Sequence, residues 1–178
     1  MTHLKMTQYI VLIDRPFPIQ EKVTIPTGTY RFNEVDLTYN TSPARRLYET
    51  FTFIPQQFYG GKRYDLNGSV GFRGSSQLAA ELQYQRSDVR LPAGKFLVRL
   101  AIARVDYALS PRMTIRSLTQ YNSSTREVTN SLRFNFTYRP GSDLYVVYND
   151  SQQQGLAPGA LTPSDRQFVI KFNYLLDR

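Results

Sequence analysis

The sequence predicts an all-β fold: an antiparallel, up-and-down meander of about nine long strands. Apolar and polar residues alternate along most of the chain, and no long stretch shows the 3.6-residue apolar spacing of a helix. Short segments rich in Pro, Gly or Ser recur roughly every 30 to 36 residues and reverse the chain. In order, these segments are Thr41–Arg45, Arg73–Gln77, Leu109–Met113 and Arg139–Asp143.

The predicted strands are unusually long. They cover residues 28–40, 45–59, 62–73, 77–86, 95–109, 113–122, 127–139, 143–149 and 166–176. Strands in soluble proteins usually have about 5 to 6 residues, whereas a tilted membrane-spanning strand needs about 9 to 11. Strand length therefore favours part of an outer-membrane β-barrel, or a small one, over a soluble sandwich. In residues 95–109 the apolar phase breaks, which predicts a one-residue β-bulge near Ala103.

The other chain reversals look longer and more polar than the short turns. They cover Gln57–Arg63, Gln85–Lys95, Gln120–Val128 and Tyr148–Arg166. Short turns at one rim and long loops at the other are typical of an outer-membrane barrel.

Two domains are predicted: residues 1–27 as an extended linker with at most one short strand, and residues 28–178 as the C-terminal portion of an antiparallel barrel. Bacterial single-chain barrels have an even number of strands, and the first 18 residues do not resemble a signal peptide. We therefore expect further strands upstream, in a longer precursor.

Composition excludes several kinds of chemistry. The chain has no Cys and a single His, His3, so disulfides, His-dependent triads and zinc sites are not expected, and we predict no metal, cofactor or catalytic residue. No apolar run is long enough for a membrane helix. The net charge is +8, but the basic residues are dispersed, which does not indicate a nucleic-acid partner.

Alternation assigns side chains to two faces of the predicted sheet. The predicted lipid-facing residues are Leu132, Phe134, Phe136, Phe168, Ile170 and Phe172. The predicted pore-lining residues are Arg63, Arg73, Glu81, Arg99, Arg116, Arg133 and Lys171. Two interpretations of the basic row stay open: a constriction that selects anions, and a lumen filled by mutually paired polar side chains.

Three further patterns have structural explanations. Glu81 and Asp106 could be the paired carboxylates of a glycosidase, but arginines on adjacent predicted strands predict structural ion pairs instead. Glycines within residues 68–74 indicate bends or close packing in a strand. Tyrosines near strand ends are predicted to form interfacial girdles; they are Tyr59, Tyr64, Tyr107, Tyr138, Tyr148 and Tyr174.

Several segments carry a family resemblance: Leu91–Phe96, Val105–Ser124, Asn130–Asp150 and Val169–Leu176, with Ile25–Phe32 and Gln56–Arg63. They resemble the C-terminal barrel domain of a bacterial family in which a carbohydrate-binding-module-like domain of the family 9 type precedes a barrel domain of unassigned function. The resemblance implies the outer membrane of a Gram-negative cell, with membrane lipid and the barrel assembly machinery as partners. It also implies carbohydrate binding through the upstream domain.

Three functional hypotheses follow. The first is an outer-membrane barrel domain that acts as pore, anchor or display platform and is linked to carbohydrate binding or uptake through an upstream domain. The second is a soluble, lipocalin-like β-barrel binding module. The third is a domain associated with a glycoside hydrolase, although the chain itself is not expected to be an enzyme.

Overall fold

The computed structural model describes residues 1–154 and 161–175, and these form strands joined by turns. The strands are β1 (Thr2–Ile13), β2 (Phe17–Gln20), β3 (Val23–Ile25), β4 (Gly28–Asn40), β5 (Leu47–Phe58), β6 (Gly61–Arg73), β7 (Leu78–Leu91), β8 (Gly94–Ser110), β9 (Met113–Asn122), β10 (Glu127–Arg139), β11 (Ser142–Gln154) and β12 (Leu161–Asn173). Within the described ranges, no helix is long and apolar enough to cross a membrane.

Ten of the strands form one sheet in the order β1-β4-β5-β6-β7-β8-β9-β10-β11-β12. The strand pairs with a resolved register, such as β9 with β10 and β10 with β11, are antiparallel. The remaining two strands, β2 and β3, pair with each other in a separate two-stranded sheet. The predicted all-β, antiparallel, up-and-down meander is therefore confirmed.

The chain divides into two compact units, which are described separately. Unit 1 comprises Met1–Ser42, Glu49–Ser69 and Tyr84–Arg99. Unit 2 comprises Pro43–Tyr48, Val70–Gln83 and Leu100–Arg178.

The first 27 residues differ from the predicted linker, because they contain three strands. β1 pairs with β4 along its whole length, from Thr2 opposite Tyr39 to Ile13 opposite Gly28. Leu4, Met6 and Ile10 alternate along one face of β1 and are exposed. The continuous apolar run from Tyr9 to Ile13 hides this alternation in the sequence.

The predicted difference between short turns and long loops is wrong for the described residues. Two residues join β5 to β6, two join β7 to β8 and four join β9 to β10, whereas the predicted short turns have six, four, two and two residues. Strand pairing continues through polar residues that resemble loop sequence. Tyr59 and Gly60 both have positive φ, 45° and 76°, as a tight hairpin turn requires. The reversal at residues 155–160 lies outside the described residues.

The pairing of β8 with β9 shows no bulge near Ala103, where the sequence predicts one. The pairing of β8 with β9 is continuous from Leu100 through Ala108, and its register shifts only between Ala108 and Ser110. Leu100 and Ile102 therefore share a face with Arg104. The sequence misleads here because these apolar residues lie on the face that is otherwise polar.

The core of unit 1 is an apolar cluster that includes the β2–β3 hairpin. Four hydrophobic side chains are buried: Val23, Ile25, Phe32 and Val89. The Phe32 ring stacks on Tyr9 at 4.7 Å and meets the Tyr59 ring edge-on at 5.1 Å. Tyr59 therefore lies in this cluster, which differs from its predicted place in an interfacial girdle.

Gly61 is the position in unit 1 where a side chain has least room. A Cβ added there would lie 2.1 Å from the backbone oxygen of Arg90, whereas one added at Gly68 of the same strand would meet no atom within 4 Å. We therefore expect Gly61→Ala to lower the free energy of unfolding by about 1–3 kcal/mol, because the clashing atom is backbone and must move. Gly68→Ala is the matched control, with an expected change of about 0.5 kcal/mol or less.

Urea unfolding of the two variants in detergent micelles measures both changes. Equal midpoints for Gly61→Ala and Gly68→Ala would contradict the close approach of β6 to Arg90.

Candidate pore-lining site

The antiparallel register of β9 to β12 brings basic residues together on one face of unit 2. Arg116 lies opposite Arg133, and Arg133 lies opposite Val147 on the next strand. In the adjacent row, Tyr145 lies opposite Lys171. We call the face that carries these residues the polar face and the opposite face the apolar face. Three of the predicted pore-lining residues, Arg116, Arg133 and Lys171, thus share one surface.

The polar face contains a concavity of about 520 Å³. Its lining residues on that face are Thr114, Arg116, Arg133, Asn135, Tyr145, Val147, Val169, Lys171 and Asn173, and Phe134 borders it between Arg133 and Asn135. They include three basic side chains and no carboxylate. The concavity is therefore positively charged, with amide and hydroxyl groups beside the cations.

Only one of these cations has an anionic partner among the residues that the structure describes. Arg116 Nε lies 3.5 Å from Asp106 Oδ1, and both side chains are largely exposed, so water weakens the pair. Arg133 and Lys171 form no ion pair within the described ranges. Like charges that lie directly opposite in a sheet destabilise it, so the Arg116–Arg133 pair has a cost in stability that a bound anion would offset.

Asn135 adds an unsatisfied hydrogen-bond acceptor to the concavity. Its side-chain oxygen is buried and accepts no hydrogen bond in the described structure. Register places it between Thr114 and Tyr145. A buried acceptor without a donor is costly, so Asn135 lowers the stability of this face.

The two carboxylates considered for a glycosidase are both ion-paired, as the sequence predicts. Glu81 Oε2 lies 3.4 Å from Arg104 Nη1 and Asp106 lies 3.5 Å from Arg116. Glu81 also accepts a hydrogen bond from Gln83. Both groups are therefore held by cations.

The other predicted pore-lining residues have different surroundings. Arg63 pairs with the buried Asp65 at 2.8 Å in unit 1. Arg73 is exposed at the end of β6, with its guanidinium 5.2 Å from the centre of the Tyr48 ring. Arg99 does not line the concavity of unit 2. Without a bulge near Ala103, Arg99 and Asp106 are an odd number of residues apart in one strand and lie on opposite faces.

A polar network around Asp65 was not predicted from the sequence. Gln56 Nε2 donates to this carboxylate at 3.0 Å and Ser87 Oγ donates to it at 2.5 Å, in addition to the Arg63 pair. These donors come from β5, β6 and β7, so their convergence depends on register, which the sequence does not state.

The six predicted lipid-facing residues share the apolar face of unit 2. Register aligns Leu132 with Tyr148, and Tyr148 with Phe168. Leu132 is 47% exposed, whereas Phe168, Ile170 and Phe172 are each at least 60% exposed. Phe134 and Phe136 are half-buried. So large an exposed hydrophobic surface is rare on a soluble monomer.

A polar row ends the apolar face on these strands. Thr119 donates a hydrogen bond to Asn130 at 2.9 Å, and Asn130 lies opposite Asp150. Asp150 is buried and pairs with Arg166 at 3.0 Å. This row was missed because each of its residues belongs to a different strand.

Within residues 1–154 and 161–175, no group of three or more His, Asp or Glu side chains is arranged to hold a metal ion.

The chain is similar to the NanC porin in a rhombohedral crystal form, with a TM-score of 0.48 and 14% identity, over 98% of this chain and 94% of that one. It is also similar to the KdgM porin in complex with disordered oligogalacturonate, with a TM-score of 0.42 and 13% identity, over 99% and 95% of the two chains. No family model and no curated protein sequence matches the chain. The upstream family 9-type domain thus stays a prediction.

Proposed function

We propose that the chain is an outer-membrane β-barrel domain that conducts anionic solutes, with its polar face around the pore and its apolar face against lipid. The observation that carries this proposal is that strands β9 to β12 have two opposite faces of different chemistry. One surface is exposed and apolar, and the other holds Arg133 and Lys171 with no anionic partner within the described residues.

The membrane part of the proposal rests on the exposed side chains of β12. Phe168, Ile170 and Phe172 alternate on one face and are each at least 60% exposed. Transfer of such side chains from water into hydrocarbon is favourable by about 1.5–3 kcal/mol each. A polar lumen and an apolar outer band are what a membrane barrel requires.

The pore part rests on the unpaired charge. A lumen that was only structural would pair its polar side chains with one another, as Arg63 pairs with Asp65. Arg133 and Lys171 have no such partner among the described residues, which favours the anion-selective interpretation of the basic row over the mutually paired one. Amide and hydroxyl side chains, among them Thr114, Tyr145 and Asn173, lie beside these cations, so hydroxylated anions such as sugar acids are the solute class that we propose.

The finer parts of the proposal come from the sequence resemblance. An upstream carbohydrate-binding domain would supply sugars to the pore, and insertion would depend on the barrel assembly machinery. We propose no enzymatic activity for the chain, since both candidate carboxylates, Glu81 and Asp106, are paired with arginine side chains.

The direct test is conductance of the purified chain in planar lipid bilayers under a KCl gradient. We expect discrete conductance steps and a reversal potential that shows preference for chloride. Inserted protein without conductance would exclude the pore and leave an anchor or display platform. A chain that is monodisperse in buffer without detergent would favour the soluble, lipocalin-like module instead.

A pair of adjacent residues in β12 tests the orientation of the strand. We expect Ile170→Arg to destabilise the inserted state by about 2–4 kcal/mol, because it places a charge against hydrocarbon. Val169→Arg is the matched control, since Val169 lies opposite Val147 on the polar face. The folded fraction in vesicles, followed by heat-modifiable gel mobility across a urea series, measures both. A larger effect for Val169→Arg would reverse the assignment of the two faces.

A further inference from the structure

One face of β7 changes from exposed apolar residues to charged residues along the strand. Leu82 and Tyr84 are exposed on it, at 58% and 39%. The next residues on the same face are Arg86, Asp88 and Arg90, because alternate residues of a strand point to the same side. The order apolar, aromatic, charged is the order of layers that a membrane presents from its hydrocarbon to its headgroups.

The three charged residues form one cluster. Arg90 Nε and Nη2 each donate to a carboxylate oxygen of Asp88 at 3.0 Å, whereas Arg86 Nη2 is 4.0 Å from the same carboxylate. Both arginine side chains are exposed, at 46% for Arg86 and 64% for Arg90. Lys95 of β8 also contributes a positive charge near Asp88. One carboxylate thus faces three cations, and the cluster keeps an excess of positive charge.

An apolar floor adjoins the cluster within unit 1. A concavity of about 370 Å³ is lined by Phe53, Tyr64, Leu66, Arg86, Asp88 and Arg90. The Phe53 and Tyr64 rings are stacked at 6.5 Å, and the Arg90 guanidinium lies 5.7 Å from the centre of the Tyr64 ring. The site therefore has apolar side chains at one margin and guanidinium groups at the other.

We propose that this cluster, here called the rim site, binds the phosphate group of an anionic membrane lipid, with the lipid chain against Phe53 and Leu66. The inference rests on the proposed membrane-spanning function. The charge of the site matches phosphate, and guanidinium groups bind phosphate oxygens through paired hydrogen bonds. Asp88 engages two of the five N–H donors of Arg90 and fixes its plane, which leaves three donors for a ligand.

A free anion from solution would not need the apolar floor, and an acyl chain alone would not need the arginines. A lipid with an anionic phosphate uses both. The rim site differs from the concavity of unit 2, because none of its residues lines that concavity.

The test counts lipids retained by the full chain in nanodiscs that contain phosphatidylglycerol and phosphatidylcholine with identical acyl chains. After transfer to detergent, native mass spectrometry reports which lipid stays bound. We expect the wild-type chain to retain phosphatidylglycerol about tenfold more than Arg86→Gln with Arg90→Gln, since the glutamines lose the charge-assisted contacts to phosphate. The control, Arg45→Gln with Arg46→Gln, changes the net charge equally at exposed turn residues and should retain wild-type binding.

A second variant, Arg86→Lys with Arg90→Lys, keeps the charge but removes the planar guanidinium, so intermediate retention is expected. Equal retention of phosphatidylglycerol by the wild type and the double glutamine variant would overturn the rim site, as would equal retention of both lipids by the wild type. Failure of the wild type to enter the nanodisc would overturn the membrane-spanning function itself. An inserted, conducting chain without lipid preference would overturn the rim site alone.

Discussion

Replacement of Arg133 and Lys171 by glutamate is expected to reverse the ion selectivity of the pore from anions to cations. The two substitutions change the charge of the concavity by four elementary charges, at positions with no ion-pair partner among the described residues to absorb the change. A ring of fixed charge in a narrow, partly desolvated pore acts on ions more strongly than in bulk water. The measurement is the sign of the reversal potential in a KCl gradient.

The control variant for this experiment is Arg45→Glu with Arg112→Glu. Both are exposed turn residues outside the concavity, and the change in net charge is the same. Selectivity should stay anionic in this control, with a small shift that added salt screens. If both double variants shift the reversal potential equally, selectivity follows net charge and the concavity is not the constriction.

Alternation and turn residues together predict much of the sheet. β4, β9 and β10 have the bounds that the sequence predicts, although only β10 alternates without interruption over most of its length. Two strands extend beyond their predicted ends through mostly polar sequence. β7 continues to Leu91 and β11 to Gln154, since backbone pairing does not require apolar side chains. Whether a strand extends through polar sequence depends on pairing with its neighbouring strand, and the local sequence does not identify that neighbour.

The site was predictable only as a list of residues on a face. Alternation correctly groups Arg116, Arg133 and Lys171 on one side of their strands, but their proximity depends on the register of β9 to β12. The same reasoning fails for Arg99, because Leu100 and Ile102 are apolar residues on the polar face and make a phase break where the structure has none. When residues are classified only as polar or apolar, a polar face that carries some apolar side chains cannot be recognised.

The aromatic core of unit 1 is a second case in which the local sequence pattern does not determine the contacts. An aromatic residue near a strand end is compatible with a girdle at the membrane interface and with a local core. Tyr59 belongs to the core because the β2–β3 hairpin brings Phe17 to within 5.8 Å of it and positions Ile25 in the same unit. A contact between a hairpin and a distant turn has no signature in local spacing.

The strongest effect on stability is expected at Phe32, which is 2% exposed in the core of unit 1. Phe32→Ala removes a ring that contacts Tyr9, Phe58 and Tyr59. Loss of a buried phenyl group and the cavity left behind typically cost about 3–5 kcal/mol. We therefore expect the urea midpoint in detergent micelles to fall steeply, with Phe32→Leu recovering much of the loss.

Leu37→Ala in the same strand is the matched control for Phe32→Ala. Leu37 lies on the other face of β4, is 42% exposed and is paired by register with Leu4 and Phe53. Its truncation loses less buried area, and we expect a cost of about 1 kcal/mol or less. If the chain packed as a soluble module with its core on the face of Leu37, this order would be reversed. The comparison of two residues five positions apart in one strand therefore reports which side of the sheet of unit 1 forms the protein's own core.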